Sequence, residues 1–418
     1  MYASLPKTAS IVQKYGGTSV GTGERIKAVA ERIARQWRDG YHHLAIVVSA
    51  QSGETNRLVD MMRSVNPNAS GVAYDMALAA GEQVSVALMS AALEAQGIKA
   101  LPLLAHQLGI HTDELHAKAR IRHIDTDLIE RGWERGAVAV IAGFQGVNSD
   151  HEITTLGRGG SDTSAVALAV ALKAGFCEIN TDVDGVYTAD PRLVPSARLI
   201  ESLEYETAFE MASLGSKVLH PRCVELAAKF HMPLIVRNTF TSDSHRRTRI
   251  MPQSAAGSLE ELVVSGVTTD RQIAKLTLTG LRQDSAVISE IFQSLGELGI
   301  NVDIIVHDKP HADQSLRLGF TIASSDLDAA RKVIAELAAS KGYDSLKIVA
   351  EGGLAKVSAV GVGMRSYAGV AGRTFNALTS QGIVIHMIST SEIKISVVVD
   401  EAEATRATQA LHREFVGD

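Results

Sequence analysis

Cysteine is scarce in this chain, long hydrophobic runs are missing, and basic residues are not in excess. Only two cysteines occur among the 418 residues, which excludes a disulfide scaffold and a cysteine-based metal site. The longest uninterrupted apolar run, 165–172, falls far short of the ~20 residues that span a bilayer, and residues 1–10 lack the apolar core of a signal peptide. With 41 Lys and Arg against 47 Asp and Glu, the net charge of −6 disfavours nucleic acid as a partner. We therefore expect a cytoplasmic protein that binds neither nucleic acid nor a membrane.

The sequence motifs of several enzyme classes are also missing. The 14 histidines show no HExxH or comparable ligand spacing, and the sequence contains no GxSxG elbow. Cys177 lies within an apolar segment, which favours a packing role over nucleophilic catalysis. No metal ligand is therefore assigned to the protein from its sequence.

The first 250 residues alternate apolar, strand-like runs with amphipathic helical stretches. In segment 24–37, Ile26, Val29, Ala30 and Ile33 fall on one helical face. This alternation favours an α/β domain with a mostly parallel sheet, and the continuously apolar strands indicate that helices cover both faces. The predicted strands are Ala9–Tyr15, Leu44–Ser49, Ala137–Phe144, Cys177–Thr181 and Pro233–Asn238.

An internal repeat follows a polar, small-residue linker at 241–258. The segment KLTLTG at 275–280 resembles KVSAVG at 356–361, and each is followed by the order helix, strand, strand, helix. Such a repeat predicts paired α+β modules, and one continuous α+β domain with accidental similarity is the alternative. The predicted elements are 274–281, 286–298, 301–306, 315–323 and 327–339 in the first module, and 355–362, 369–380, 383–388, 392–400 and 402–415 in the second. Segments 346–350 and 261–268 are expected to add one strand to each module.

Two glycine-rich segments are candidate anion sites. The first, KYGGTS at 14–19, places Lys14 before Gly16 and Gly17 at the end of a strand, where backbone N–H groups can approach a phosphate. It is not a Walker A loop, and a glycine turn that merely ends a strand is an equally good interpretation of this segment alone. The second, TTLGRGGSDTS at 154–164, places Arg158 between glycines before an apolar helix that residues 161–163 could cap. The fork-shaped arginine side chain suits a carboxylate, so an anion site is favoured over a capped helix with a solvated arginine.

Acidic residues follow a third strand, in the segment NTDVDGVYTADPR at 180–192. Carboxylates at the carboxyl end of a strand suit a Mg²⁺–nucleotide or a ribose contact. Asp182 is the functional candidate, whereas Asp184 and Asp190 are also explained by Asp-Gly and Asp-Pro turns. Ser49 and Thr55 offer hydroxyls after the second strand, and Glu82 begins a helical stretch where a lone glutamate is normally explained by the helix dipole.

These motifs occur in an order that characterises one known family. From about residue 11 to 415 the chain resembles the aspartate kinases (aspartokinases) of the amino-acid kinase superfamily. The motifs that carry the resemblance are KYGGTSVG (14–21), SGETN (52–56), GEQ (81–83), GFQG (143–146), TTLGRGGSDTSA (154–165), TDVDGVYTADPR (181–192), MASLGSKVLHPR (211–222), GVGMRSYAGVAGRTF (361–375) and MISTSEIKISVVV (387–399).

The resemblance implies a three-layer α/β/α amino-acid-kinase domain at 9–250, followed by two α+β ferredoxin-like ACT domains. The first ACT domain (270–350) is expected to be inserted into the second (259–269 plus 352–418). The family uses MgATP to phosphorylate the β-carboxylate of L-aspartate, which gives 4-phospho-L-aspartate for lysine, threonine and methionine biosynthesis. The implied ligands are therefore ATP, Mg²⁺ and L-aspartate, with lysine and/or threonine as feedback effectors. ACT sheet edges imply a homodimer or larger oligomer, and in some members a separate regulatory subunit starts near the position of Met251.

The family's functional residues map onto matching positions of this sequence. Lys14 matches the lysine at the transferring phosphate, Arg158 the clamp on the substrate α-carboxylate, and Glu82 the contact to its ammonium group. The residues implied as catalytic are Lys14, Glu82 and Asp182, and those implied to bind substrate are Thr55, Glu82, Arg158 and Ser161. The nucleotide-site positions are Lys14, Tyr15, Gly16, Gly17, Ser49, Thr181, Asp182, Tyr187, Arg192, Lys217 and Val218. The effector candidates are Asp284, His307, Ser389 and Thr390.

Several positions depart from the family pattern. Ala79-Ala80 replace a Ser-Thr pair before Gly-Glu, Asn180 replaces a common tyrosine, and a Pro-Gly-Thr is missing from 242–248. In the first ACT module Asp284-Ser285-Ala286 replaces Asp-x-Pro-Gly, and His307-Asp308 replaces Gln-Asn, so the site is expected either to bind no effector or to bind a different one. Two alternatives stay open: a kinase of another amino acid, such as acetylglutamate kinase or glutamate 5-kinase, and an amino-acid sensor with an inactive kinase domain.

Overall fold

The chain forms two compact units in a computed structural model. The structure describes residues 6–216, 218–241, 243, 245–252, 263–282, 285–308, 315–343, 345–365 and 367–417. The first unit comprises Met1–Tyr187, Leu199–Ser213 and Lys217–Ser258, and the second comprises Thr188–Arg198, Leu214–Ser216 and Leu259–Asp418.

Twelve strands and eight helices build the described part of the first unit. The strands are β1 (Ile11–Tyr15), β2 (Leu44–Val48), β3 (Ala100–Leu103), β4 (Ile110–Thr112), β5 (Ile121–Ile124), β6 (Val138–Ala142), β7 (Gln145–Val147), β8 (Ile153–Thr155), β9 (Phe176–Thr181), β10 (Ser202–Leu203), β11 (Leu234–Asn238) and β12 (Arg247–Ile250). The helices are α1 (Gly23–Arg38), α2 (Glu54–Val65), α3 (Val72–Ala95), α4 (Ala105–Leu108), α5 (Asp127–Glu134), α6 (Gly160–Ala171), α7 (Tyr205–Ser213) and α8 (Pro221–Lys229).

The main sheet of this unit has the order β10-β12-β11-β9-β1-β2-β6-β3. Every neighbouring pair is parallel except β11 with β12. The carboxyl ends of β1, β2, β6 and β9 therefore meet at one edge, which is where open α/β sheets bind ligands. A smaller sheet, β5-β4-β7-β8, leads into the loop before α6.

The predicted α/β fold class is confirmed, and each of the five predicted strands appears with its ends shifted by at most two residues. Helix α1 begins after Thr22, whose hydroxyl accepts a hydrogen bond from Arg25 N at 3.3 Å, and it buries Ile26, Val29 and Ile33 as its periodicity predicts. These predictions succeed because the local signals, apolar spacing and strand propensity, agree with the tertiary contacts throughout this region.

One helix in the described part of the chain, α3, is long and apolar enough to cross a membrane by length and composition alone. Half of its most apolar window is buried, however, and its buried residues include Asp75 and Glu82. Buried carboxyl groups next to Leu78 and Val86 are typical of a core helix that positions polar side chains inside a globular domain.

The second unit contains a six-stranded antiparallel sheet with the predicted repeated helices. Its strands are β13 (Gly266–Arg282), β14 (Val302–Asp308), β15 (Ser315–Ala323), β16 (Lys347–Val360), β17 (Met387–Thr390) and β18 (Lys394–Asp400). Its helices are α9 (Ser285–Glu297), α10 (Leu327–Lys341), α11 (Val370–Thr379) and α12 (Ala404–Phe415). The sheet order is β14-β15-β13-β16-β18-β17, so β14 and β17 form its two edges.

Three predicted strand boundaries in this unit are wrong. Segments 261–268 and 274–281 were predicted as separate strands, as were 346–350 and 355–362, but β13 and β16 run through both modules without a break. The register shifts between Asp270 and Ile273, so a bulge absorbs the irregularity instead of ending the strand. The strand predicted at 383–388 starts only at Met387. Residues 261–262 lie outside the described residues, and the predicted division into an inserted and a split ACT domain stays a prediction.

Candidate active site

Lys14 lies at the carboxyl end of β1 and forms an ion pair with Asp162 in the first turn of α6. The Nζ and Oδ1 atoms are 2.7 Å apart, and the two side chains are 12% and 13% exposed. The Asp162 carboxylate offsets part of the lysine charge and fixes the ammonium group, and the free N–H groups at the start of α6 add positive character beside it. This arrangement suits a bound anion.

The glycine turn after β1 is closely packed, and Gly17 has no room for a side chain. A Cβ atom at Gly17 would lie 2.7 Å from the Ala50 carbonyl oxygen, and one at Gly16 would lie 3.2 Å from the Lys14 Nζ atom. Gly16 N donates to the Asn180 carbonyl oxygen at 3.3 Å, so the turn is held against the end of β9. Backbone N–H groups at such a turn can approach a phosphate closely.

Glu82 on α3 is a buried carboxyl group beside the same turn. It is 3% exposed, and its Oε1 atom accepts a hydrogen bond from Ala50 N at 2.9 Å. The Oε2 atom is buried and has no hydrogen-bond partner among the described residues. Burial raises the pKa of Glu82 to about 7, and the hydrogen bond from Ala50 opposes this shift. A buried acceptor without a donor is well suited to bind a cationic group of a ligand.

Arg158 stands between two glycines with left-handed backbone conformations, Gly157 at φ +78° and Gly159 at φ +66°. A Cβ atom at Gly159 would lie 2.2 Å from the His220 side chain, so only glycine fits there. Burial lowers the pKa of His220, which keeps its ring neutral near neutral pH. Arg158 is exposed, and no ion pair joins it to another described side chain.

The expected side-chain cap of α6 is wrong. Gly159 is the N-cap residue and no side chain caps the helix, because Asp162 pairs with Lys14 while the Thr163 hydroxyl donates to the Gly159 carbonyl oxygen at 3.1 Å. Ser161 is 8% exposed and packs against the loop after β6, where a Cβ atom at Gly143 would lie 2.8 Å from its own. The glycine at position 143 therefore allows this loop to approach the start of α6.

The residues predicted at the nucleotide site cluster in part at the ends of β9 and β2. The Thr181 hydroxyl donates to Asp182 Oδ1 at 3.2 Å, and the Asp182 carboxylate is exposed. Ser49 is half-buried, and its N–H donates to the Tyr15 carbonyl oxygen at 3.1 Å. The Tyr15 ring is fully buried in the core next to α1, where burial raises its pKa to about 12. Only its backbone is therefore available to a ligand.

Other nucleotide candidates lie in different surroundings. The Tyr187 hydroxyl donates to Asp184 Oδ2 at 3.3 Å, and Arg246 Nε donates to the same oxygen at 2.6 Å. Arg192 belongs to the second compact unit, where it pairs with Asp190 within one turn at 2.7 Å. Thr55 is half-buried in the first turn of α2, and Val218 is half-buried between α7 and α8. Lys217 lies outside the described residues.

The effector candidates do not come together within one chain. His307 lies exposed on β14, whereas Ser389 and Thr390 lie on β17, at the opposite edge of the six-stranded sheet. Asp284 lies outside the described residues.

Sequence reasoning missed some groups of this site. Asp162 was considered only as a cap, and Asp75 was not considered, since each finds its partners through contacts distant in sequence. A cavity of about 790 Å³ opens between β5, α6 and α8, and none of the predicted site residues lines it. No group of three His, Cys, Asp or Glu residues in the described ranges is arranged to hold a metal ion.

An α/β/α unit with a lysine and a glycine turn at the end of β1, facing the start of α6, defines the amino acid kinase class. Residues 9–238 match the model described as the Amino acid kinase family, and residues 357–415 match an ACT domain model. The chain belongs to the aspartate kinases of that family.

Curated relatives and solved structures support this assignment. The aspartokinase of Pseudomonas aeruginosa PAO1 is 46% identical over 407 residues, and aspartokinase 2 of Bacillus subtilis 168 is 43% identical over 406 residues, each alignment covering 97% of both chains. The aspartate kinase from Synechocystis is 42% identical with a TM-score of 0.53, covering 98% of this chain and 70% of that one. E. coli aspartokinase III, solved with aspartate and ADP, shares the fold at 24% identity and a TM-score of 0.79, covering 97% and 100% of the two chains.

Proposed function

We propose that Lys14, Glu82, Arg158 and Asp182 carry the aspartate kinase reaction in this chain. The reaction transfers the γ-phosphoryl group of ATP to the β-carboxylate of L-aspartate and gives 4-phospho-L-aspartate, the entry to lysine, threonine and methionine biosynthesis. The observation that carries the proposal is the Lys14–Asp162 pair at the start of α6, beside a glycine turn in which Gly17 has no room for a side chain.

The chemistry requires charge neutralisation rather than proton removal. The attacking carboxylate is already ionised at neutral pH, so no general base is needed, and the barrier comes from bringing two anions together in line. Lys14 supplies positive charge at the position where negative charge develops on the transferring phosphoryl group. Asp162 fixes the lysine side chain at that position. The N–H groups of Gly16 and Gly17 would hold the adjacent phosphate oxygens.

The substrate is oriented by opposite charges at its two ends. Arg158 binds the α-carboxylate with its guanidinium fork, and the unpartnered Oε2 atom of Glu82 accepts from the α-ammonium group. Thr55 and Ser161 add hydroxyl contacts. With these groups fixed, the β-carboxylate of L-aspartate would point toward Lys14.

The nucleotide would lie along the ends of β1, β2 and β9. Its contacts are proposed to come from Lys14, Tyr15, Gly16, Gly17, Ser49, Thr181, Asp182, Tyr187, Lys217 and Val218. The exposed Asp182 carboxylate suits a Mg²⁺ ion that also binds phosphates and water, because this ion prefers oxygen ligands and rarely has an all-protein cage. When bound, Mg²⁺ would neutralise part of the phosphate charge.

The proposal also covers the effectors of this protein, its oligomeric state and its cellular location. One structure of E. coli aspartokinase III contains lysine and aspartate, and we propose lysine and/or threonine as effectors of this chain, read by its ACT sheet. Its exposed sheet edges favour a homodimer or larger assembly, with a separate regulatory subunit as a further partner. A cytoplasmic location agrees with the core role of α3.

Replacing Lys14 tests the proposal. Lys14→Met should lower kcat by about 10²- to 10³-fold, because one fixed charge at the developing negative charge is lost. The KM for ATP should change far less. Lys27→Met, an exposed lysine on α1, is the matched control and should leave both constants unchanged. An ADP-release assay with L-aspartate measures both constants. Turnover that survives in Lys14→Met with only ATP affinity reduced would remove Lys14 from its assigned role.

A further inference from the structure

We propose that Asp75 is a positioning residue that holds the Arg158 loop in register with Glu82, and so sets the affinity for L-aspartate. The inference rests on the proposed substrate contacts of Arg158 and Glu82. It assigns a role to a buried side chain that is not among the proposed substrate and nucleotide contacts.

The Asp75 carboxylate is completely buried and accepts hydrogen bonds from four donors. Thr155 donates twice, from its N–H to Oδ2 and from its hydroxyl to Oδ1, each at 2.8 Å. Ala117 N donates to Oδ2 at 3.0 Å, and His116 Nδ1 lies 3.0 Å from the same oxygen. A buried charge without partners is costly, so this full set of donors indicates a built site rather than an accident of packing.

These donors lie on the two segments of the chain that contact the Arg158 loop. Thr155 ends β8 and is followed by Leu156, Gly157 and Arg158. Ala117 lies beneath the loop, because a Cβ atom at Gly157 would lie 2.7 Å from the Ala117 carbonyl oxygen. Asp75 therefore fixes the last residue of β8 before the loop and the backbone that contacts the loop.

Arg222 on α8 secures the same segment from another side. Its Nη1 atom donates to the Leu156 carbonyl oxygen at 2.9 Å, and its Nη2 atom donates to the Ala119 carbonyl oxygen at 2.7 Å. Arg222 holds the loop to α8, whereas the hydrogen bonds of Asp75 join it to α3, the helix that carries Glu82.

The spacing on α3 explains why that link matters. Asp75 and Glu82 are separated by two helical turns and are both buried, so they share one face of a rigid rod, roughly 10 Å apart along its axis. A rod of this kind transmits the position of the loop to the buried glutamate. The proposed carboxylate clamp and the proposed ammonium acceptor of the substrate are thereby held at a fixed separation.

His116 extends this cluster toward the surface. Its Nδ1 atom faces Asp75, and its Nε2 atom lies 3.5 Å from Glu152 Oε2, so the ring stands between two carboxylates. The Asp75 carboxylate has only acceptors to offer these donors. An amide at position 75 would turn an N–H₂ group toward a donor, whereas an amide at position 116 could still donate where Nδ1 does.

Steady-state kinetics of Asp75→Asn test the inference. We expect the KM for L-aspartate to rise by at least tenfold while the KM for ATP stays within twofold, because only the aspartate clamp loses its alignment. Thr155→Val removes the hydrogen bond from the Thr155 hydroxyl and retains the one from its backbone N–H. This variant should raise the KM for L-aspartate by a smaller factor. The KM of His116→Asn for L-aspartate should stay close to that of the parent protein. The KM of His116→Ala should rise about as much as that of Thr155→Val.

Leu93→Ala is the matched control for lost stability. Leu93 is a buried residue near the other end of α3, and its truncation should lower the melting temperature without changing the KM for L-aspartate. If Asp75→Asn and Thr155→Val fold, by circular dichroism, and bind aspartate as the parent does, Asp75 is not a positioning residue. An equal rise in both KM values would also contradict the inference.

Arg158→Ala, measured in parallel, separates this inference from the proposal it rests on. If Arg158→Ala leaves the KM for L-aspartate unchanged, the proposed clamp itself is wrong. If Arg158→Ala raises the KM and the Asp75 variants do not, the clamp stands and only the positioning role fails.

Discussion

At the scale of single residues, Glu82 sits in surroundings that oppose its own charge. Burial raises its pKa to about 7 from an ordinary value of 4.5. Because the folded protein holds this proton more tightly than the unfolded chain, the contribution to the free energy of unfolding is greatest below pH 4.5 and is lost as the pH rises to 7. The carboxylate form, which the ammonium group of a substrate requires, is thus formed at the expense of stability.

Glu82→Gln should separate these two effects. At pH 8 the free energy of unfolding of the variant should exceed that of the parent protein by on the order of 1–3 kcal/mol, because no buried charge forms. Its kcat/KM for L-aspartate should fall by at least 100-fold. In the parent protein, kcat/KM should decline about tenfold per pH unit below pH 7. Chemical denaturation and a pH–rate profile measure these quantities. A flat profile between pH 5.5 and 8 would contradict the role of the glutamate.

The sequence predicts such residues only where the signal is local. Lys14 and Arg158 stand in glycine-rich segments whose composition indicates an anion site without any tertiary information. Asp162 and Asp75 carry no such signal, because an acidic residue in a first helical turn is normally explained by the helix dipole. Their roles depend on Lys14 and on Thr155, which only the folded chain brings into contact.

At the scale of elements, the sheet of the second unit leaves both of its edge strands with exposed apolar side chains. On β14, Ile305 is 51% exposed, and on β17, Ile388 is 44% exposed. An edge strand with apolar side chains can pair with another chain, and in the described residues no further strand pairs with the outer side of β14 or β17. The edges are therefore the expected surfaces for self-association.

Ile388→Lys tests the role of the β17 edge. The parent protein should elute with at least twice the 44.5 kDa of one chain, and the variant should shift toward that mass, because a buried lysine opposes edge pairing. Light scattering after size exclusion measures this change. Met61→Lys, a substitution of an exposed methionine on α2, is the control and should keep the parent mass. A parent protein that is monomeric, or a variant with unchanged mass, would contradict this assignment.

Element order was predictable, and element ends were less so. Periodicity located every helix of the repeat because the apolar faces of α9 to α12 must be buried wherever the chain places them. The continuity of β13 and β16 was not predictable. Gly352-Gly353 suggests a break, but β16 continues past the glycines, with a register shift between the Ile273–Leu354 and Lys275–Glu351 pairs.

At the scale of the whole molecule, an acidic protein must bind two anions. The net charge of −6 would repel both ATP and L-aspartate from most of the surface. Attraction must therefore come from local positive charge, which the first unit supplies through Lys14, Arg158 and the start of α6. Placing those charges at one sheet edge allows the nucleotide and the acceptor to lie side by side.

A crystal structure with L-aspartate and a non-hydrolysable ATP analogue tests this central claim most directly. It should place a γ-phosphate oxygen within about 2.7–3.2 Å of the Lys14 Nζ atom. The aspartate α-carboxylate should lie on the Arg158 guanidinium, and its ammonium group should lie on the Glu82 Oε2 atom. Either compound bound away from Lys14 and Arg158 would contradict the account.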